Sequence, residues 1–263
     1  MKDVWNPEQY EKFKAERERP FFDLIALVKP KEKMRVADLG CGTGAPTRTL
    51  HGYLQARETI GFDNSDAMLE KAQALAGDGL RFEKSDIETF AEESETFLAY
   101  GQFDLIFSNA ALHWVENHEE LLRRLTTAVA EGGQIAVQVP ANHHHASHIV
   151  SDEVAGESPF RDVLAGHLRD NPLLQPEQYA VLLRRLGYKE QTVRMQVYVH
   201  ELASREEVVE WVKGTRLTDY QKRLPAELYE KYLERYRERL MERLEDTHPF
   251  IYTYNRILFW ARK

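Results

Sequence analysis

The fold class that this sequence predicts is α/β, with an open and mostly parallel sheet, and three observations predict it. From Arg35 to Pro140, short apolar and β-branched runs alternate with helix-length segments, the pattern of strand–helix units whose sheet is covered on both faces. The first of these runs, RVADLGCGTG, breaks into glycines at positions 40, 42 and 44, as a buried strand does when its backbone must turn tightly and let a ligand lie against it. Beyond Pro140 the alternation stops, and two strand-like runs, Tyr188 to His200 and Phe250 to Ala261, bracket a helical insertion.

The elements follow in order. Asn6-Pro7 is a helix start, with Asn as N-cap and Pro as first helical residue, for a helix reaching about Arg17. Pro20 opens a second segment over Phe21 to Val28, closed by Pro30. These two read either as a surface-packed extension or as a flap over a site. Strands are expected near 34–39, 58–63, 80–84, 103–108 and 133–139, and helices near 45–55, 66–76 and 117–130, with Gly132 stopping the last. A short helix fits Phe90 to Tyr100. Residues 143–170 read as helix broken near Pro159, and Pro176 to Leu186 as another helix ended by Gly187. Ser204 with Glu207 has the spacing of a capping box for a helix through Val212. Pro225 starts a long helix to about Leu244, with Leu228, Tyr229, Tyr232, Leu233, Tyr236, Leu240 and Leu244 on one face.

Totals exclude several classes. A net charge of −8 argues against general affinity for nucleic acid or an anionic membrane, although a local basic pocket for an acidic small molecule remains open. The N-terminal stretch has no apolar signal core, and no run is long enough to span a bilayer, so a cytoplasmic protein is expected. The single cysteine, Cys41, rules out an internal disulfide and a multi-cysteine metal site. His143-His144-His145 invites a metal reading, but consecutive histidines diverge and no acid or cysteine completes a set, so no metal is expected.

Four stations at successive strand ends carry the chemistry. Gly40, Gly42 and Ala45 loosely satisfy the dinucleotide fingerprint G-x-G-x-x-G/A. Against a pyrophosphate stand Asp38 two residues before the first glycine and Gly44 one position early; a carboxylate there suits a phosphate-free ligand with a cationic amino group, such as S-adenosylmethionine. Asp63, in Asp63-Asn64-Ser65 at the second strand end, is placed for ribose hydroxyls or as a helix cap, and NAD enzymes use the same device. Met68 could pack on adenine. Asp86-Ile87 after the third strand could hold and cover the adenine, or form a surface turn. After the fourth strand, Asn109-Ala110 with His113-Trp114 faces the cleft, where His113 could act as a base, orient a substrate or cap a helix.

The order DLGCGTG, GFDNSDAML, SD, SNAALHWV and EGGQIAVQVP resembles the class I S-adenosylmethionine-dependent methyltransferases. Trp5-Asn6-Pro7, Tyr10, Phe13, Glu16-Arg17, Arg19-Pro20, Gln138-Val139-Pro140 and Trp211-Val212-x-Gly214-Thr215 are similar to the trans-aconitate methyltransferase family within that class. The resemblance implies a Rossmann-like, seven-stranded, mostly parallel sheet with the last strand antiparallel and a helical lid inserted before it. It divides the chain into an N-terminal flap (1–33), a core (34–203), a lid (204–247) and a final core strand (248–263). It also implies S-adenosylmethionine as cofactor and S-adenosylhomocysteine as product. Gly40, Cys41, Gly42 and Gly44 would cradle the methionine part with Asp38, Asp63-Asn64-Ser65 the ribose and Asp86 the adenine, while Met68, Ile87, Asn109 and Ala110 line the pocket.

The implied acceptor is a small carboxylic acid, held through Arg17, Arg19 and Arg216 by bidentate, charge-assisted bonds. Trp114, Gln138, Asn142, His143 and Trp211 are the other acceptor-side candidates. One departure is visible: after Gly-Thr the family tends to carry an apolar residue and then Arg-Pro, whereas this chain has Arg216-Leu217-Thr218-Asp219. A different nucleophile, with His113 as base, and a non-catalytic cofactor-binding module are the competing readings.

Overall fold

A computed structural model describes residues 14–92, 100–169 and 171–263, so the helix expected from Asn6 and most of the stretch expected as a short helix before Tyr100 lie outside the described residues. Seven strands form one sheet: β1 (Arg35–Leu39), β2 (Glu58–Asp63), β3 (Leu80–Lys84), β4 (Phe103–Asn109), β5 (Val129–Pro140), β6 (Glu190–Leu202) and β7 (Phe250–Arg262). Their order is β3-β2-β1-β4-β5-β7-β6. The pairs among β1 to β5 are parallel, and β7 runs antiparallel to β5, with Gln138 opposite Leu258 and Pro140 opposite Arg256. The central strands are buried on both faces, as their apolar composition requires; Val36, Ala37, Leu39, Ile60, Leu105, Ile106 and Phe107 have no more than traces of exposed surface.

Helices alternate with the first five strands: α1 (Lys14–Ile25), α2 (Ala45–Leu54), α3 (Asp66–Gln73), α4 (Ile87–Glu92) and α5 (His118–Ala128). Two expectations are corrected here. α1 runs unbroken through Pro20, where a second segment was expected to open. Pro20 removes only one backbone bond, and the burial of Phe21, Leu24 and Ile25, with the Phe21 ring edge-on to Phe107 at 5.8 Å, holds the helix together. Gly132 does not stop α5, which ends at Ala128 and passes directly into β5. The register slips between Phe103–Val129 and Leu105–Gln134, so Gly132, at φ 70, serves a bulge in the strand.

By contact the chain forms two units. Among the described residues, one holds 17–92, 100–140, 172–196 and 256–263; the other holds 14–16, 141–169, 171 and 197–255. The segment read from the sequence as a lid, 204–247, falls wholly within the second unit. In the second unit α11 (Ala226–Met241) packs on α6 (Ala146–Ala155), with the hydroxyls of Tyr232 and Tyr236 donating to the carbonyls of Ser151 and Ser147, both at 2.9 Å. The same unit contains α7 (Phe160–Val163), α9 (Glu207–Lys213) and α10 (Thr218–Arg223), while α8 (Pro176–Arg185) belongs to the first. The capping box at Ser204 is not formed: Glu207 turns its carboxylate to the Ala203 N–H at 3.0 Å, and α9 begins one turn later. Strands β6 and β7 continue from one unit into the other. Among the described residues no helix is long and apolar enough to cross a membrane.

Candidate active site

In the first unit the chain turns outward from β1 to β2 and β3 on one side, and to β4 and β5 on the other. The carboxyl ends of β1 and β4 are thus the point where strand order reverses, the usual ligand crevice of an open α/β sheet. The glycine loop lies there. A Cβ on Gly40 would sit 2.2 Å from the Cβ of Ala111, and one on Gly44 would strike the ring of Phe82 at 2.7 Å. Those two glycines allow the loop to lie against its own scaffold. Gly42 differs: it also has a positive φ, of 55°, but a Cβ there would meet nothing within 4 Å. It is the glycine that faces open space.

Asp63 ties this loop to the end of β2. One carboxylate oxygen accepts the Gly42 N–H at 2.8 Å and the other the Ser65 N–H at 2.9 Å. Ser65 in turn caps α3, its hydroxyl accepting from the Met68 N–H at 3.4 Å, and Met68 is half-buried on the first turn. Asn64 donates to Asp86 at 2.9 Å, while the second oxygen of Asp86 accepts the Glu88 N–H at 2.9 Å and caps α4, which begins at Ile87. The ends of β1, β2 and β3 are therefore joined by a chain of hydrogen bonds through residues read from the sequence as one pocket. Each carboxylate oxygen keeps a second lone pair for a ligand.

Asp38, read from the sequence as the acid for a ligand's amino group, lies buried near the end of β1. It is 4% exposed, and its carboxylate accepts the Thr47 hydroxyl at 2.7 Å, bracing α2 on β1. Burial pushes its carboxyl up to about 7, with the Thr47 bond pulling the other way and nearby Asp63 adding to the rise. Cys41 is buried beside it, and burial pushes its thiol up. At the end of β4, Ala110 adopts φ 56 and donates its N–H to the Gln138 carbonyl at 2.9 Å. Neighbouring Asn109 has its Oδ1 buried without a hydrogen-bond partner among the described residues. His113 and Trp114 follow on a 3₁₀ turn, their rings 4.9 Å apart, with Trp114 55% exposed.

Residues 30–193 match the family described as a methyltransferase domain. The chain is 40% identical over 99% of its length, and 98% of the relative's, to a trans-aconitate 2-methyltransferase of Deinococcus radiodurans. It is 38% identical over 87% of its length, and 86% of the relative's, to the enzyme of that name from Variovorax paradoxus. The chain belongs to the S-adenosylmethionine-dependent methyltransferases. Its architecture matches that of the YcgJ protein from Bacillus subtilis with a TM-score of 0.59 at 15% identity, over 94% of this chain and 98% of that one, a likeness of fold alone.

The methyltransferase's strand ends fit its cofactor. A side chain at Gly42 would fill the open space over the loop, and the partnerless Asn109 Oδ1 is an acceptor suited to a cationic amino group.

The acceptor-side residues named from the sequence are divided between the two units. In the first, Arg19 is exposed on α1, Arg17 lies on the same helix, and Gln138 is wholly buried. In the second, Asn142 accepts the Asn255 N–H at 2.9 Å and donates to the Tyr252 hydroxyl at 3.4 Å, so its amide is committed to holding the chain. His143 is half-buried, and burial pushes its pKa down, helped by His144 and Arg216. Trp211, expected to touch substrate, is a core residue at 2% exposure, with its ring 4.5 Å from His200 and 5.7 Å from Tyr252. Arg216 is also buried. It is ion-paired with Asp152, and donates to Ser151 Oγ and the Arg169 carbonyl, each at 3.3 Å. Two arginines escaped the sequence reading. Arg169 stands beside Arg216, its Nη1 donating to the carbonyls of Thr215 and Arg216 at 3.3 Å; burial and the Arg216 charge push its pKa down to about 10. Arg256 is 8% exposed at an inward position of β7. A charge set in the middle of that aromatic-rich strand was the signal that could have found it.

Proposed function

We propose that the protein methylates a carboxylate of a small polycarboxylic acid, with trans-aconitate the leading acceptor. The observation that carries this reading is the extent of the likeness to the Deinococcus enzyme, which covers the residues of both units rather than the cofactor half alone. Gly40, Gly42 and Gly44 with Asn109 would receive the methionine part of the cofactor, Asp63 the ribose and Asp86 the adenine, with Met68 and Ile87 against the ring. Bound there, S-adenosylmethionine supplies a methyl group on a cationic sulfur and departs as S-adenosylhomocysteine.

A carboxylate acceptor carries no proton to remove, so this chain need not supply a general base. Its work is to hold the acceptor oxygen in line and exclude water, and such positioning can contribute roughly 7–11 kcal/mol to a barrier. Buried cationic side chains suit that work, because a guanidinium orients a carboxylate through paired N–H groups. His113 then orients rather than abstracts, and the pH–rate profile should lack a limb near the histidine range. The test is to incubate the enzyme with methyl-labelled cofactor and a panel of di- and tricarboxylic acids, followed by mass analysis. A monomethyl ester of trans-aconitate is expected. Transfer to none of the acids would overturn the reading.

A further inference from the structure

β5 carries two buried glutamines, Gln134 and Gln138, at 2% and 0% exposure. Four residues apart on a strand, they share one face of the sheet. Every polar atom of Gln134 is engaged. Its Oε1 accepts the Lys29 N–H at 2.9 Å and the Trp260 indole N–H at 2.7 Å, and its Nε2 donates to the Lys29 carbonyl at 2.7 Å. Gln138, at the carboxyl end of the same strand, has no hydrogen-bond partner for either Oε1 or Nε2 among the described residues. A buried amide left in that state is costly, and an apolar side chain of similar size would avoid the cost. Its retention points to a ligand that completes it.

The register says what stands around it. Gln138 lies opposite Asn109 of β4 on one side and Leu258 of β7 on the other, and Arg256 lies opposite Pro140. Side chains of paired residues and of alternate residues share a face, so Asn109, Gln138 and Arg256 rise from the same face at the reaction-centre end of the sheet. Arg256 is the diagonal cross-strand neighbour of Gln138, a separation that a long side chain bridges. All three belong to the first unit.

We infer that Gln138 and Arg256 form the seat for a carboxylate of the methyl acceptor, one that is not itself methylated. This rests on the carboxylate-methylating reading above. Arg256 offers paired N–H donors and charge, and Gln138 Nε2 offers a third donor. The nucleophilic oxygen would be blunted by such bonds, so the pair grips a neighbouring carboxylate and makes the enzyme select polyacids over monoacids.

The experiment is Gln138→Met, which removes the amide while keeping length and volume, with Arg256→Lys as companion. For the Met variant KM for the polyacid should rise about 10- to 100-fold, the range of one charge-assisted hydrogen bond. Calorimetric affinity for S-adenosylhomocysteine should be unchanged, and the melting temperature should hold or rise. Affinity of the S-adenosylhomocysteine complex for the polyacid should fall by a like factor. Arg256→Lys, which keeps charge and loses the fork, should show a smaller rise in KM. Unchanged KM and polyacid affinity in Gln138→Met would overturn the inference while leaving the proposed reaction intact. Failure of the unaltered enzyme to methylate any polyacid would overturn the proposed reaction itself, and the seat with it.

Discussion

Tyr179 donates its hydroxyl hydrogen to Nδ1 of the buried His118, whose other ring nitrogen donates to the Leu112 carbonyl at 3.0 Å. The carbonyl fixes a proton on Nε2, and burial disfavours a second one on Nδ1, which is left to accept from Tyr179. Burial pushes the His118 pKa down, the Leu112 bond working against it. The effect is to pin the turn bearing His113 and Trp114 to α8, whose Tyr179 lies 61 residues beyond His118 in the chain.

That arrangement sets an acid sensitivity. A histidine with a depressed folded pKa contributes stability above its unfolded value of about 6.5, and this is lost as pH falls toward the folded value. Half-buried His145 and buried His148 are shifted in the same direction. Urea midpoints should therefore drop between about pH 7.5 and about pH 5.5, and His118→Asn should show a shallower drop. An identical pH slope in the variant would mean His118 titrates alike folded and unfolded.

The glycine loop separates into binding and packing positions. Gly42→Ala should keep most of the fold, at about 1–2 kcal/mol for the left-handed backbone, and weaken cofactor binding about tenfold or more. Gly44→Ala, whose Cβ would lie 2.7 Å from the Phe82 ring and 2.9 Å from Ala72, should lose stability by several times as much. Thermal melts beside cofactor titrations read the two effects separately.

Asp63 joins the loop to β2 and is the residue proposed to hold the ribose. Replacing it by Ala should weaken S-adenosylmethionine binding by ~1–3 kcal/mol, measured by calorimetry. Equal affinity would place the ribose elsewhere.

Asp38 carries the opposite pH signature to His118. Its folded pKa of about 7 lies above the ordinary 3.8, so the folded state binds the extra proton between those values. The carboxyl's contribution is fully present below about pH 4 and is lost as pH rises through about 7. Asp38→Asn, which can still accept from Thr47, should therefore gain on the unaltered protein as pH climbs from 5 to 8, to the order of a few kcal/mol. Denaturant curves at both ends of that range measure it.

Much of this was legible because local pattern and global fold agree. The apolar runs at Val36 and Ile60 have nowhere to go but a covered parallel sheet, and the loop glycines announce a turn against a ligand. What escaped depended on distant partners. Pro20 reads as a helix start until Phe21 is seen packing on Phe107. Gly132 reads as a stop until the register slip of β5 against β4 is seen. Trp211 reads as a substrate contact because an aromatic residue beside Gly-Thr resembles the family, and only packing with His200 and Tyr252 shows it as core. Gln134 and Gln138 are indistinguishable in sequence; their difference lies in Lys29 and Trp260, far away along the chain.

β7 comes last of the seven strands in the chain, yet it stands between β5 and β6. A nascent chain thus carries β5 with one flank open from residue 134 to 140 until residues 250–262 have left the ribosome. That flank is a ready template for another chain. Premature termination anywhere in the insertion should therefore yield inclusion bodies or chaperone-bound product rather than a smaller working enzyme.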